Sequence, residues 1–337
     1  MSKIQNVRRK HSCLRGTEKE NLDKELNDLV LDMKKKAIEK FKDESEIKKF
    51  LDNISKFNNY SYNNQILIYL QKPDARYITS FEKFKELGYQ INKGAKAIKI
   101  FVPNFYSLVK VKMDDGSEEI KPYCTLSELE KQKYKDKSDE SITFFDRKVS
   151  GFNVGNVFDV SDTNMPMDLI DQELNPVLND NYAQDIMTPF IKTIRRDGFQ
   201  VMWKEMDSET KGFCDFDTNT IYLRKGLGSL MQLKVLIHEY AHALAHKHLQ
   251  NNNEEYQKNR NKYETEAEAI AYVVTNYLGI KSNDYSLSYL YAWSKEKDFN
   301  EIDRSLSMIV NYSKKIINNF DNYMNMELDS VQSPTLV

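Results

Sequence analysis

Val235-Leu236-Ile237-His238-Glu239-Tyr240-Ala241-His242-Ala243-Leu244-Ala245-His246 decides the reading of the carboxyl half of this chain. The run is apolar and rich in helix formers, and it holds most of the chain's few histidines: four of five fall between His238 and His248. Histidines at i and i+4 share one face of a helix, so His238 and His242 can reach one tetrahedral metal ion. Glu239, next to the first of them, is then placed to take a proton from metal-bound water. The pattern HExxH therefore predicts a helix that carries a catalytic zinc site.

Such a site usually takes three protein ligands and leaves a fourth position for water. His248 stands where the longer motif HExxHxxGxxH has its third histidine, but Ala245 occupies the place of the helix-breaking glycine. His248 is therefore expected to continue along the helix, away from the metal. His246, one turn past His242, reads as a surface or supporting histidine. The other source is Tyr263-Glu264-Thr265-Glu266-Ala267-Glu268-Ala269-Ile270-Ala271-Tyr272, a strong helix former with Glu264, Ala267, Glu268 and Ala271 on one face. Alanines let two helices approach closely. Ligation by Glu264, with Glu268 orienting an imidazole or serving as the alternative ligand, gives the two carboxylates a purpose; a solvated acidic face is the plainer alternative.

Outward from this core, Gly212 to Leu223 reads as a hairpin, and an edge strand beside such a helix can pair with an extended peptide. Tyr182 to Arg196 reads as a helix, Phe199 to Leu223 as β-rich with a turn at Asp217-Thr218-Asn219, and helices follow to about Phe320. Pro166 and Pro176 mark residues 163–180 as a linker. Upstream, apolar spacing of three and four predicts helices over 21–57, with Ser45 as an N-cap, and over 63–70 and 81–87. Strands are expected at 75–78, 97–102 and 152–160. The charged stretch 113–150 reads as an insertion. Residues 1–20 are expected to form a basic flexible arm and 323–337 a flexible tail, which leaves domains at 21–162 and 181–322.

The whole chain of 337 residues carries a net charge of −2, so it is no general polyanion binder. Between Lys72 and Lys112, however, nine basic residues face three acidic ones, a local excess of +6. Tyr77, Phe81, Phe84 and Tyr89 are interleaved, with Tyr60 and Tyr62 just upstream. Cations that track phosphates and rings that stack on bases are the two parts of a single-strand binding surface. Phe81, Phe84 and Leu87 also have core spacing. Apolar runs fall far short of the ~20 residues that span a bilayer. Three scattered cysteines exclude a disulfide scaffold and suit a reducing cytoplasm.

Five segments then occur in a telling order: Tyr60-Ser61-Tyr62-Asn63-Asn64-Gln65-Ile66-Leu67-Ile68, Gln71-Lys72-Pro73-Asp74-Ala75, Phe81 to Gly88, Lys93-Gly94-Ala95-Lys96-Ala97-Ile98 and Val157-Phe158-Asp159-Val160-Ser161. Together they resemble the N-terminal single-stranded-DNA-binding domain of the ArdC antirestriction family. The carboxyl half is similar to that family's zincin-like metallopeptidase domain, itself related in pattern to the ImmA/IrrE metallopeptidases. Two alanines, Ala95 and Ala97, depart from the usual KGEKGI. The resemblance implies an α+β protein of two domains, an α/β DNA-binding domain and a mainly helical zincin-like domain with a small β-sheet. It implies zinc held by His238, His242 and Glu264, with Glu239 as the catalytic glutamate. It also implies single-stranded DNA as a partner, contacted by Tyr60, Tyr62, Asn64, Lys72, Arg76, Tyr77, Lys93, Gly94 and Lys96. The setting would be a mobile genetic element or phage. The peptidase's protein substrate stays open, with a restriction enzyme or a repressor as candidates. A repressor-cleaving regulator, or a DNA binder whose zinc domain is only scaffold, are the alternatives.

Overall fold

The computed structural model describes residues 17–41, 43–113, 115–136, 139–167, 169, 181–250, 252–280 and 297–332. Most of the expected arm and linker, and the last five residues of the expected tail, lie outside them. The described residues form two compact units that are not consecutive in sequence. One comprises the start of the first helix, up to Met33, with residues 97–157; the other comprises 34–96 and the chain from Phe158 onward. The compact units therefore cut across a simple division at 163–180.

The chain opens with helix α1 (Thr17–Glu39), then α2 (Glu44–Lys56) and α3 (Tyr62–Gln71). α2 buries Ile47, Phe50, Leu51 and Ile54, the positions that recur at three and four. Its N-cap is Asp43, whose carboxylate accepts the Glu46 N–H at 3.1 Å. Ser45, expected as the cap, instead donates its hydroxyl to Asp43 at 2.6 Å. β1 (Ile78–Thr79) and α4 (Phe81–Glu86) follow, the latter capped by Ser80. α4 has room for one core side chain, Phe84, and ends before Gly88, which adopts the left-handed conformation at φ +86°.

Two long strands come next, β2 (Ile98–Lys112) and β4 (Ile142–Asp159), with β3 (Glu118–Pro122) and α5 (Glu128–Lys135) between them. The sheet order is β1-β4-β2-β3, all antiparallel. Of the segment read as an insertion, 142–150 belong to β4, 118–122 form β3 and 128–135 form α5, and its Leu126 and Ile142 join Val109 and Val111 of β2 in a small core. Bulges at 104/105 and 108/109 shift which residues face which side, and this broke the alternation that would have shown a long strand. The last residues of β4 pair with β1, and buried Asp159 accepts the backbone N–H groups of Arg76, Tyr77 and Ser161.

The remainder is α6 (Tyr182–Arg196), strands β5 (Gln200–Lys204), β6 (Gly212–Asp215) and β7 (Thr220–Arg224), then α7 (Ser229–Ala245), α8 (Asn253–Lys258), α9 (Arg260–Tyr277) and α10 (Phe299–Gln332). The three strands lie in the order β5-β7-β6, parallel then antiparallel, with β6 at the edge. α7 packs against β6, β7, α6, α9 and α10, and α2 packs against α9. α10 runs ten residues past the point where the tail was expected to begin. Among the described residues no helix is long and apolar enough to cross a membrane.

Candidate metal centre

α7 is a buried helix: Leu233, Leu236, Ile237, Tyr240, Ala241 and Ala243 are sealed from solvent on several sides. That burial fixes its rotation, so His238 and His242 face α9. The alanines Ala267 and Ala271 on α9 are fully buried, consistent with close helix approach. Gly212 does the same for strand β6. A methyl group there would stand 2.5 Å from a Val235 methyl and 2.9 Å from the Tyr222 carbonyl oxygen, so only glycine lets the edge strand lie this near α7.

His238 Nε2 and His242 Nε2 are 3.1 Å apart, and each stands 3.5 Å from Glu264 Oε2. Three donors at about 2.1 Å from one tetrahedral ion would lie roughly 3.4 Å from each other, so the geometry fits a metal. Among the described residues these three form the metal-type cluster. His248 lies outside it: α7 ends at Ala245, and a 3-10 turn (Lys247–Leu249) replaces the continuing helix the sequence suggested. Glu268 Oε2 stands 3.2 Å from His238 Nδ1, close enough for an ion pair but off the line of a hydrogen bond.

Electrostatics follow from this packing. Burial opposes a charge on His238, yet Glu264 and Glu268 outweigh it and raise its pKa to about 10. Burial lowers His242 to about 4. Burial also opposes a charge on Glu264, but the two imidazoles win and hold its carboxyl well below the usual range. Glu239 is pushed up to about 7, chiefly by burial and then by Glu264, against the pull of His238. Its carboxylate accepts the backbone N–H of Cys214 on β6, whose thiol burial pushes up to about 12. A carboxylate with a pKa near 7 is suited to accept and return protons at neutral pH. The cluster opens into a cleft of about 930 Å³ lined by Gly212, Glu239 and Tyr256 among others. Tyr256 donates its hydroxyl to Glu264 Oε1 at 3.1 Å, a contact the sequence reading missed.

The residues expected to meet DNA are placed less uniformly. Lys93, Gly94 and Lys96 are exposed on a tight turn, with Gly94 at φ +89° and the Ala95 N–H bonded to the Asn92 carbonyl. Tyr62 is only 6% exposed; its hydroxyl donates to Asp303 at 2.8 Å, and Lys34 covers the ring. Asn64 is buried as well. Tyr77 packs edge-on to Phe84, and Tyr60 edge-on to Phe57. Lys72 pairs with Asp162 at 2.7 Å, and the Arg76 N–H is bonded to Asp159. Tyr62 and Asn64 thus serve the core, because helix α3 buries every turn and leaves them no free face.

Exposed rings occur elsewhere, on the β2–β4 ribbon. Arg147 and Val149 share one face of β4, and Val149 lies opposite Phe105 of β2; Phe145 is the extra residue of the second bulge, between Phe144 and Asp146, and lies beside Lys110 instead. Phe105 and Phe145 are 44% and 45% exposed. The Arg147 guanidinium sits 4.7 Å from the Phe105 ring centre, and the Lys110 ammonium 5.7 Å from that of Phe145.

Comparison with known proteins gives a consistent division. Residues 20–157 match the N-terminal domain of anti-restriction factor ArdC, and residues 194–280 match the IrrE N-terminal-like domain, peptidase M78. An uncharacterized protein of Bacillus anthracis, pXO2-81, is 28% identical over 324 residues, 90% of this chain and 51% of that protein. The chain therefore spans about half the length of the curated relative it matches. The crystal structure of antirestriction ArdC protein from the R388 plasmid, metal-free, is 16% identical and covers 78% of this chain and 86% of its own, with a TM-score of 0.42. The Mn(II)-bound structure of the same protein is 15% identical, covers 79% and 86%, and has the same TM-score.

Proposed function

We propose that this chain, an ArdC N-terminal domain followed by an IrrE N-terminal-like domain, is a single-stranded-DNA-binding antirestriction protein of a mobile element or phage with a working zinc peptidase. The observation that carries the peptidase reading is a three-donor cluster with Glu239, a buried carboxyl next to His238, lining the same open cleft. A purely structural zinc site closes with four protein ligands and has no use for a general base. Zinc held by His238, His242 and Glu264 would supply Lewis acidity toward the scissile carbonyl and make water acidic enough to ionise near neutral pH.

The chain's own groups do the rest. Glu239 accepts a proton from the attacking water and returns it to the leaving amine. The outer edge of β6 offers main-chain groups to an extended peptide beside the cluster, which orients the scissile bond. Glu239→Gln keeps the shape and removes the base, so hydrolysis should fall by about 10²–10⁴. Zinc content and DNA binding should stay at the parent level. A sensible first assay follows self-cleavage and digestion of restriction subunits with single-stranded DNA present. Turnover by Glu239→Gln at the parent rate would refute the peptidase reading.

For DNA, the functional modules are residues 21–162 for binding and 181–322 for hydrolysis. Support comes from the Lys93-Gly94-Ala95-Lys96 turn and, separately, from two ring-and-cation pairs of the β2–β4 ribbon, Phe105 with Arg147 and Phe145 with Lys110. On the ribbon, bases of a single strand can stack on Phe105 or Phe145 while the Arg147 or Lys110 beside it meets a phosphate; the turn lysines are a phosphate site of their own. Binding should prefer single strands to duplex and weaken steeply with salt. A chain that binds duplex equally well would not be a single-strand binder. A repressor-cleaving role shares the chemistry through the IrrE-like domain, and cleavage of a repressor without any need for DNA would favour it.

A further inference from the structure

His242 has two ring nitrogens, and each has its own partner. Nε2 faces His238 and Glu264, whereas Nδ1 stands 3.0 Å from Nδ1 of His246. Of the two readings the sequence left for His246, surface or supporting, burial removes the first: it is 0% exposed at the end of α7. Its Nε2 lies 3.2 Å from Glu266 Oε2 on α9, and Glu266 is equally sealed. The other oxygen of Glu266 accepts the hydroxyl of Ser305 on α10, with the Lys262 ammonium 3.9 Å away. Three helices thus contribute to one buried polar chain that ends on a metal-type ligand.

Taking a histidine and a carboxylate out of water carries a desolvation cost that an apolar pair would not incur, so the chain needs a use beyond packing. Donor and acceptor roles supply it. Ser305 donates its hydrogen to Glu266 and the Lys262 ammonium stands at ion-pair distance, a setting for an acceptor-only carboxylate. The hydrogen between Glu266 and His246 then sits on His246 Nε2. A neutral His246 has its lone pair on Nδ1 and can only accept from His242 Nδ1–H. With that hydrogen fixed, the lone pair of His242 is on Nε2, directed at the metal position.

We propose that His246 and Glu266 are positioning residues for the metal centre: the Ser305–Glu266–His246 chain locks His242 in the tautomer and ring orientation that ligates. The proposal rests on reading His238, His242 and Glu264 as metal ligands. Two imidazole ligands are then held in different ways, His238 by Glu268 at the cleft and His242 through a second imidazole from the interior.

The test uses the full chain and has two readouts. Zinc affinity is measured by chelator competition for the parent, His246→Phe, Glu266→Gln and Ser305→Ala. His242 ring protonation is read from long-range ¹H–¹⁵N spectra of the metal-free proteins. His246→Phe should weaken zinc binding by about 10–100-fold, the range for loss of a residue that orients a ligand. Its His242 should shift away from the Nδ1–H form. Glu266→Gln should change both in the same direction by less, and Ser305→Ala least. Melting of the metal-free proteins separates a folding defect from a positioning one; should His246→Phe not fold, Glu266→Gln decides. Folded variants with parent affinity and parent tautomer would overturn the proposal. So would an Nε2–H form of His242 in the metal-free parent, even if no zinc binds. Absence of zinc binding by a parent that holds the Nδ1–H form would instead count against the ligand reading alone.

Discussion

The candidate metal centre and the basic, aromatic segment at 60–112 were both visible as patterns, yet the fold treats them differently. In the centre, two histidines four residues apart meet at 3.1 Å, and a glutamate from another helix joins them. In the segment, Tyr62 and Asn64 are buried, Lys72 is paired to Asp162, and Tyr77 lies against Phe84. The difference is one of geometry. Helical spacing of 3.6 fixes mutual position for residues within one turn, whatever surrounds the helix. A mixture of lysines and rings fixes nothing until tertiary packing decides which rings are needed for core.

The strongest way to break the comparison is to attack the centre's third donor. Glu264→Ala should remove one ligand of three and reduce zinc content of the purified chain to a small fraction of one per monomer. Glu268→Ala should keep the ion and lose about 10–100-fold in affinity, as expected for a group that only orients His238. Metal analysis and chelator competition read both. The reverse ranking would make Glu268 the ligand and Glu264 its support.

The second region can be sharpened by asking which rings meet DNA. Phe105→Ala and Phe145→Ala should each weaken single-strand binding by about 1–3 kcal/mol, the range for losing a base–aromatic stack. Both side chains are about half exposed, so folding should be little affected. Fluorescence anisotropy with a labelled oligonucleotide measures the loss. Unchanged affinity in both variants would remove the ribbon from the DNA surface.

Lys93→Ala/Lys96→Ala tests the exposed turn. Each phosphate contact contributes about 0.7 to the slope of log affinity against log salt for single strands, so the double variant should flatten that slope by about 1.4. Affinity at low salt should fall, and affinity at high salt should converge on the parent's. A parallel loss at every salt concentration would point to a damaged fold.

How much of this was legible depends on the range of the signal. The helix of His238 and His242, the helix of Glu264, the β-rich stretch before them and the helix Tyr62–Gln71 all announced themselves by local periodicity. The full length of β2 and β4 did not, because the bulges at 104/105 and 108/109 interrupt alternation. Glu266 was also overlooked among three glutamates at 264, 266 and 268. Its own signal was present: Ile270 and Val273, four and seven residues on, are fully buried, so Glu266 lies on the apolar face of α9 while Glu264 and Glu268 lie toward the cleft. A charged residue at core spacing is the feature that marks the buried chain to His242.

The smallest expected effect separates core from surface at Tyr62. Its hydroxyl donates to Asp303 at 2.8 Å, and Asp303 keeps a second partner in Lys34 at 3.0 Å. Tyr62→Phe removes one hydrogen bond to a charged group that remains paired, so stability should fall by about 0.5–1.5 kcal/mol rather than by the larger cost of an orphaned charge. The ring is retained, which preserves packing against Lys34 and the α3 core. Chemical denaturation should show the shift as a lower midpoint with unchanged slope. Single-strand affinity should stay with the parent's, because the hydroxyl faces Asp303 and the ring is covered. If affinity dropped while stability held, Tyr62 would belong to the DNA surface after all, and the line between the two regions would have to be redrawn through α3.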